Sequence, residues 1–162
     1  MWAFLLLILF ADLFSKYWIQ NNLPLMDSYN FPYGGIGVFK DLSGIEFSLV
    51  HATNTGAAWS LFSNYPRSLF FIRIILIVML TIYYFKEKSS LLKFPIALII
   101  VGALGNVLDI LLYGHVIDMF HFVLWGYHYP IFNVADSAIC IGVFLYLIFP
   151  WTLSRDTKAI VK

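Results

Sequence analysis

Residues 94–113 read FPIALIIVGALGNVLDILLY, twenty positions that are apolar almost throughout except for Asn106 and Asp109. As a helix this stretch is long enough to cross the hydrocarbon core of a bilayer, about 30 Å thick. Three other runs have the same character, at about residues 1–19, 68–85 and 131–151. The sequence therefore predicts an all-α membrane protein with four transmembrane helices. Composition agrees, since 61% of the 162 residues are hydrophobic and 12% charged, with a mean hydropathy of +0.83. Soluble domains lie near 45–50% apolar and about 25% charged. A net charge of +1 gives no basic field for gripping nucleic acid, so that class of partner is excluded. One domain over residues 1–162 suffices at this length. The single cysteine, Cys140, has no partner in the chain for a disulfide or a thiolate metal cluster.

Orientation follows from the basic residues. Lys86, Lys88 and Lys93 after the second run and Arg155, Lys158 and Lys162 in the tail hold six of the ten Lys and Arg, which puts both segments, and both termini, in the cytoplasm. The first run carries Asp12 and Lys16, has no basic start and no small-residue cleavage site, and is read as a retained span rather than a secretory signal. The outer segment, about residues 20–67, is interrupted by Gly34, Gly35, Gly37 and Gly44 and by Pro24 and Pro32, so it reads as short strands. Ile45, Phe47 and Leu49 alternate with Glu46 and Ser48, which suggests a small sheet on the membrane with one face on lipid or substrate and the other on water. Gly114 to Pro130 reads as an outer loop, and its Trp125, Tyr127 and Tyr129 suit a membrane interface. The GGxG run at Gly34 has neither the Lys-Ser/Thr nor the helix of a phosphate loop.

Ionisable residues inside a membrane are costly, and they mark function or pair with one another. Asp12 and Lys16 stand four apart with the acid first, the favourable order for a helical ion pair, so a structural pair and a part in binding are both open. The sharper signal is Asn three residues before Asp, twice: Asn106 and Asp109 in GALGNVLD, then Asn133 and Asp136 in FNVADS. On a helix this spacing puts amide and carboxyl on one face. Gly102 and Gly105 would let another helix come close. At 1.5 Å per residue, Asp109 and Asp136 both fall about 8 Å below the outer surface. Asp118, four residues after the turn at Gly114, dips toward the same layer. Two carboxyls together in a low dielectric share a proton. That is aspartic-protease chemistry, in which one carboxylate draws a proton from the attacking water while its protonated partner hydrogen-bonds the carbonyl oxygen. No metal or cofactor is called for: His115, His121 and His128 lack any compact zinc spacing, and His51 reads as a surface or interface residue. Ser60 and Ser137 lack a nucleophile elbow, and Arg73 reads as snorkelling or pairing with an acid.

Five blocks in order resemble the bacterial lipoprotein signal peptidase (signal peptidase II) family: DLFSK at 12–16, NTGAAWS at 54–60, GALGNVLD at 102–109, GHVIDMF at 114–120 and FNVADS at 132–137. The resemblance implies an aspartyl intramembrane endopeptidase of the bacterial cytoplasmic (inner) membrane, its site near the outer leaflet. It would cut diacylglyceryl prolipoproteins just before the lipidated Cys. Spacing alone pairs Asp109 with Asp136; the resemblance implies instead that Asp118 and Asp136 are the catalytic pair. Asn106, Asp109, Asn133 and Ala135 would support it, together with Asp12 and Lys16. Asn54 and Gly56 would face substrate on an outer sheet that cradles the lipidated peptide among membrane lipids, in a cleft that also takes globomycin-type inhibitors. Two positions depart from the family pattern: Leu13 stands where Gln is usual, and Ile110 where Arg usually follows the Asp. A small proton-coupled carrier and a non-catalytic lipid-binding member of the family are the alternatives.

Overall fold

The computed structural model describes residues 1–55 and 65–160, with side chains to residue 149. The four apolar runs form helices: α1 (Trp2–Asn22), α2 (Pro66–Lys86), α3 (Ser90–Tyr113) and α4 (Val134–Ile160). The first three are long and apolar enough to cross a membrane, and the apolar part of α4, Val134–Phe149, is shorter. Between them lie β1 (Ile36–Leu42), β2 (Ile45–Asn54), β3 (Val116–Leu124) and β4 (Tyr127–His128), an antiparallel sheet in the order β1-β2-β3-β4.

The charged residues of α1 face inward and much of its apolar surface faces outward. On α1 the buried residues are Leu5, Asp12, Lys16 and Ile19, one stripe at helical spacing, while Phe4, Leu7, Phe10, Phe14 and Tyr17 are exposed. A water-soluble helix has the reverse arrangement; here the outward face has lipid as its solvent. Central α3 packs against each of the other three helices. Its contact with α4 is close because Gly102 has no side chain: a Cβ there would press into the carbonyl oxygen of Ala135 and into Ile139. Gly102→Ala should force the two helices apart and lower stability by roughly 1–3 kcal/mol, read as a fall in unfolding temperature in detergent. Stability unchanged within about 0.5 kcal/mol, the range of an innocuous surface change, would contradict this packing account.

The segment after Gly114 is not the predicted loop. Gly114, at φ 79°, ends α3 in the left-handed conformation, and the chain at once enters β3, which pairs with β2 along its length. Alternation did not reveal this strand because both of its faces are covered: Val116, Ile117, Asp118, Met119, His121 and Val123 are all buried. Trp125 and Gly126, both at positive φ, turn the chain into β4, and Ser43 and Gly44 do the same between β1 and β2. Ile19 of α1 packs with Ile117 and Met119, fastening the sheet to the helices.

The face of β2 expected to meet water is also covered. Ser48 is fully buried and the Tyr33 hydroxyl donates to Glu46 Oε2 at 2.5 Å, because residues 26–33 fold back over the sheet and Tyr33 packs with Val50 and Val123. His51, expected at a surface or an interface, is buried with Nδ1 3.0 Å from the Leu23 carbonyl oxygen. His121 is buried as well, its Nε2 3.1 Å from Nδ1 of the exposed His128.

Candidate active site

Two acids from different elements meet across one amide. Asp118 lies on β3 opposite Ala52 of β2, so Asn54, two residues along, stands diagonally beside it on the same face. The Asn54 Nδ2 donates to Asp118 Oδ2 at 3.1 Å, and the Asn133 Nδ2 donates to Oδ1 at 2.7 Å. Asp136 lies in the first turn of α4. Its backbone N–H donates to Asn133 Oδ1 at 2.8 Å, and its own Oδ2 accepts the Asn133 backbone N–H at 3.3 Å. This reciprocal pair is a capping box. The Asn-x-x-Asp spacing in FNVADS thus reflects a helix start, not two side chains on the flank of a continuing helix. The other oxygen, Asp136 Oδ1, accepts from Asn106 Nδ2 at 2.8 Å. All four carboxyl oxygens therefore have a fixed donor.

Behind Asn106 and Asn133 lies a second polar cluster. Lys16 is completely buried, and its three ammonium protons meet Asp12 Oδ2 at 2.8 Å, Asp109 Oδ2 at 2.7 Å and Asn106 Oδ1 at 2.9 Å. The Ala135 backbone N–H donates to Asp12 Oδ1 at 2.7 Å, tying α1 to the start of α4. Lys16 has a consequence for the acids in front of it. By occupying Asn106 Oδ1 it turns the Asn106 NH2 toward Asp136. Asp12, Lys16 and Asp109 thus hold the site from behind. Asp109, which spacing alone had paired with Asp136, is bound to Lys16 and to the Ile117 backbone N–H instead.

Asp118 and Asp136 open into one cavity of about 640 Å³, lined also by Asn54, Arg73, Asn106 and residues 129–132. Its wall is mainly apolar, with Ile139 and Ile141 of α4 and Ile131 and Phe132 before it. Burial, reinforced by the negative charge of Asp136, pushes the Asp118 carboxyl up to about 7 from an ordinary 3.8, against the opposing pull of its hydrogen bonds from Asn54 and Asn133. The arrangement can thus hold a proton on one acid beside another acid at neutral pH. Gly56 lies outside the described residues. Arg73, read from the sequence as snorkelling or pairing with an acid, lines the cavity. A signal was present: it is the one charge in α2 between Arg67 and Lys86.

Residues 4–152 match the family model of signal peptidase (SPase) II. The chain belongs to the signal peptidase II family. It is 39% identical over 148 residues to a lipoprotein signal peptidase of Shewanella baltica (strain OS195), covering 87% of this chain and 79% of that protein. It is 37% identical over 160 residues to one of Bacillus pumilus (strain SAFR-032), covering 96% and 94%. A bacterial membrane enzyme solved by the in meso method at 2.3 Å resolution superposes with a TM-score of 0.73 at 31% identity, covering 94% of this chain and 86% of that one. Membership in the signal peptidase II family makes this a multi-pass membrane protease. The carrier and the non-catalytic lipid binder are not favoured by any of these similarities.

Proposed function

We propose that this signal peptidase II removes the signal peptide of diacylglyceryl-modified prolipoproteins by aspartyl catalysis, with Asp118 and Asp136 as the acting pair. The observation that carries the proposal is the convergence of both acids, each oriented by fixed donors, on one apolar cavity. Asp136 as carboxylate takes a proton from water while the water oxygen attacks the carbonyl carbon. Asp118 as acid hydrogen-bonds the carbonyl oxygen, and as the carbon–nitrogen bond breaks the departing nitrogen takes the proton that Asp136 drew from the water, which returns Asp136 to its carboxylate form. The Asn54, Asn106 and Asn133 amides hold the two carboxyls in place, and the polar cluster around Lys16 holds the amides.

The remaining features follow from this reading. The chain acts as one membrane-embedded domain with four crossings of the bacterial inner membrane and cytoplasmic termini, in accord with its Lys and Arg distribution. The cavity then lies near the outer leaflet. Because α2 and α4 both line it, a signal peptide enters sideways from the bilayer between them, unwinding at the scissile bond while the acyl chains of the lipidated Cys stay in hydrocarbon. The strand end at Asn54 clamps the peptide, and globomycin-type inhibitors compete for the same cleft.

Purified protein incubated with a diacylglyceryl prolipoprotein should yield a product beginning at the lipidated Cys, identified by mass spectrometry; intact substrate after prolonged incubation would count against the proposal. With the proton on Asp118 lost near pH 7, kcat/KM should be on its plateau just below that value, fall toward tenfold per pH unit above it, and fall again in acid once the Asp136 carboxylate is protonated. A rate that climbs from pH 7 to 9 would show that Asp118 does not act as the acid.

A further inference from the structure

Arg73 lines the same cavity as Asp118 and Asp136. It is half-buried in a stretch of α2 whose neighbours Phe71, Ile72, Ile75 and Leu76 are exposed and apolar. Charged side chains at such positions mark function or pair with other groups, and the two are compatible. Among the described residues lining the cavity it is the one cation. Lys16 cannot serve an occupant, since it is fully buried behind Asn106 with its three donors engaged.

Hydrolysis creates a need for such a group. Adding water across the peptide bond gives an amine on the lipidated half and a carboxyl on the signal-peptide half, and that carboxyl ionises at neutral pH. A new anion is thus formed beside Asp118 and Asp136, in an apolar cavity where like charges repel strongly. A guanidinium is the side chain best matched to a carboxylate, meeting both oxygens through paired N–H donors. An arginine is long enough to keep its methylenes on apolar surface while its guanidinium faces the polar groups of the cavity.

We propose that Arg73 is the binding residue for the carboxylate that cleavage creates, the new C-terminus of the released signal peptide. This rests on the reading that Asp118 and Asp136 cut the bond. Arg73 then makes the cavity selective for an anionic acyl half over a neutral one, and it offsets the repulsion that would otherwise oppose formation of the product.

The test uses two synthetic peptides with the sequence of the signal-peptide half, one ending in a free carboxylate and one in a carboxamide, as inhibitors of prolipoprotein cleavage. The unmodified enzyme should be inhibited at least about tenfold more strongly by the carboxylate, roughly 1.4 kcal/mol of preference. Arg73→Gln should lose the preference for the carboxylate or reverse it, and Arg73→Lys should keep part of the preference. A purely structural role would weaken both peptides together and leave their ratio intact, so a preserved ratio in Arg73→Gln overturns the proposal. So does an unmodified enzyme that cleaves substrate without distinguishing the peptides. Should Arg73→Gln not fold, the unmodified preference and its reduction in Arg73→Lys decide the matter. If the unmodified enzyme cleaves nothing, the assignment of Asp118 and Asp136 falls first; if it cleaves and does not discriminate, only the role of Arg73 falls.

Discussion

Asp118→Asn and Asp136→Asn should each reduce prolipoprotein cleavage by roughly 10³-fold or more, while the protein still inserts and folds. The amide keeps the shape of the carboxyl and one acceptor oxygen but has no proton to exchange at neutral pH. The two variants should differ in stability, and that difference separates chemical from structural loss. Asp136 also closes the capping box of α4, so its replacement should cost about 1 kcal/mol. At Asp118 the sign depends on pH. Its carboxyl titrates near 7 when folded and near 3.8 when free, so between those values only the folded state holds the proton, and stability declines as pH rises through that window. Asp118→Asn should lack this decline and compare best with the unmodified protein at alkaline pH. Cleavage within tenfold of normal in either variant would remove that residue from the chemistry.

Lys16→Met should be the most damaging single change to stability, about 3–5 kcal/mol, because it leaves Asp12 and Asp109 buried without the charge that neutralises them. It also leaves Asn106 Oδ1 with only the 3.2 Å bond from Asn133 Nδ2, so the amide that faces Asp136 is held less firmly. Adding Asp109→Leu to Lys16→Met should recover a substantial part of the loss, since one uncompensated acid goes with the lysine, and the coupling between the two sites is measured by a double-mutant cycle from unfolding in detergent. If Lys16→Met unfolds within 1 kcal/mol of the unmodified protein, or the second change adds its full cost independently, the buried cluster does not hold the helices together as described.

The helices were legible because a run of about 20 apolar residues has one economical place to go. Their inner faces were legible for a related reason: Asp12, Lys16, Asn106 and Asp109 are too polar for lipid and had to face one another. Which acid joins Asp136 was not legible from spacing. Asp109 shares a helix pattern with Asn106, but its partner Lys16 lies 93 positions away in the chain, and only packing of α1 against α3 reveals it. Asp118 is brought to Asp136 by β3, a strand whose apolar residues occupy both faces and so carry no period of two. The resemblance to a family supplied that choice, and the geometry supplies its physical basis. Gly126 was a turn marker inside the apparent outer loop, but Trp125 before it, at positive φ, is not a residue that announces a tight hairpin. Arg73 was discounted because an arginine in a span can snorkel; its neighbours across the cavity come from another helix and a strand.

A single side chain, that of Asn133, is bonded to the Asp118 carboxyl and to the backbone N–H of Asp136. The strand that carries one acid and the first turn of the helix that carries the other are therefore joined through one asparagine. Loss of that side chain should unfasten the strand's acid and the helix start in one step.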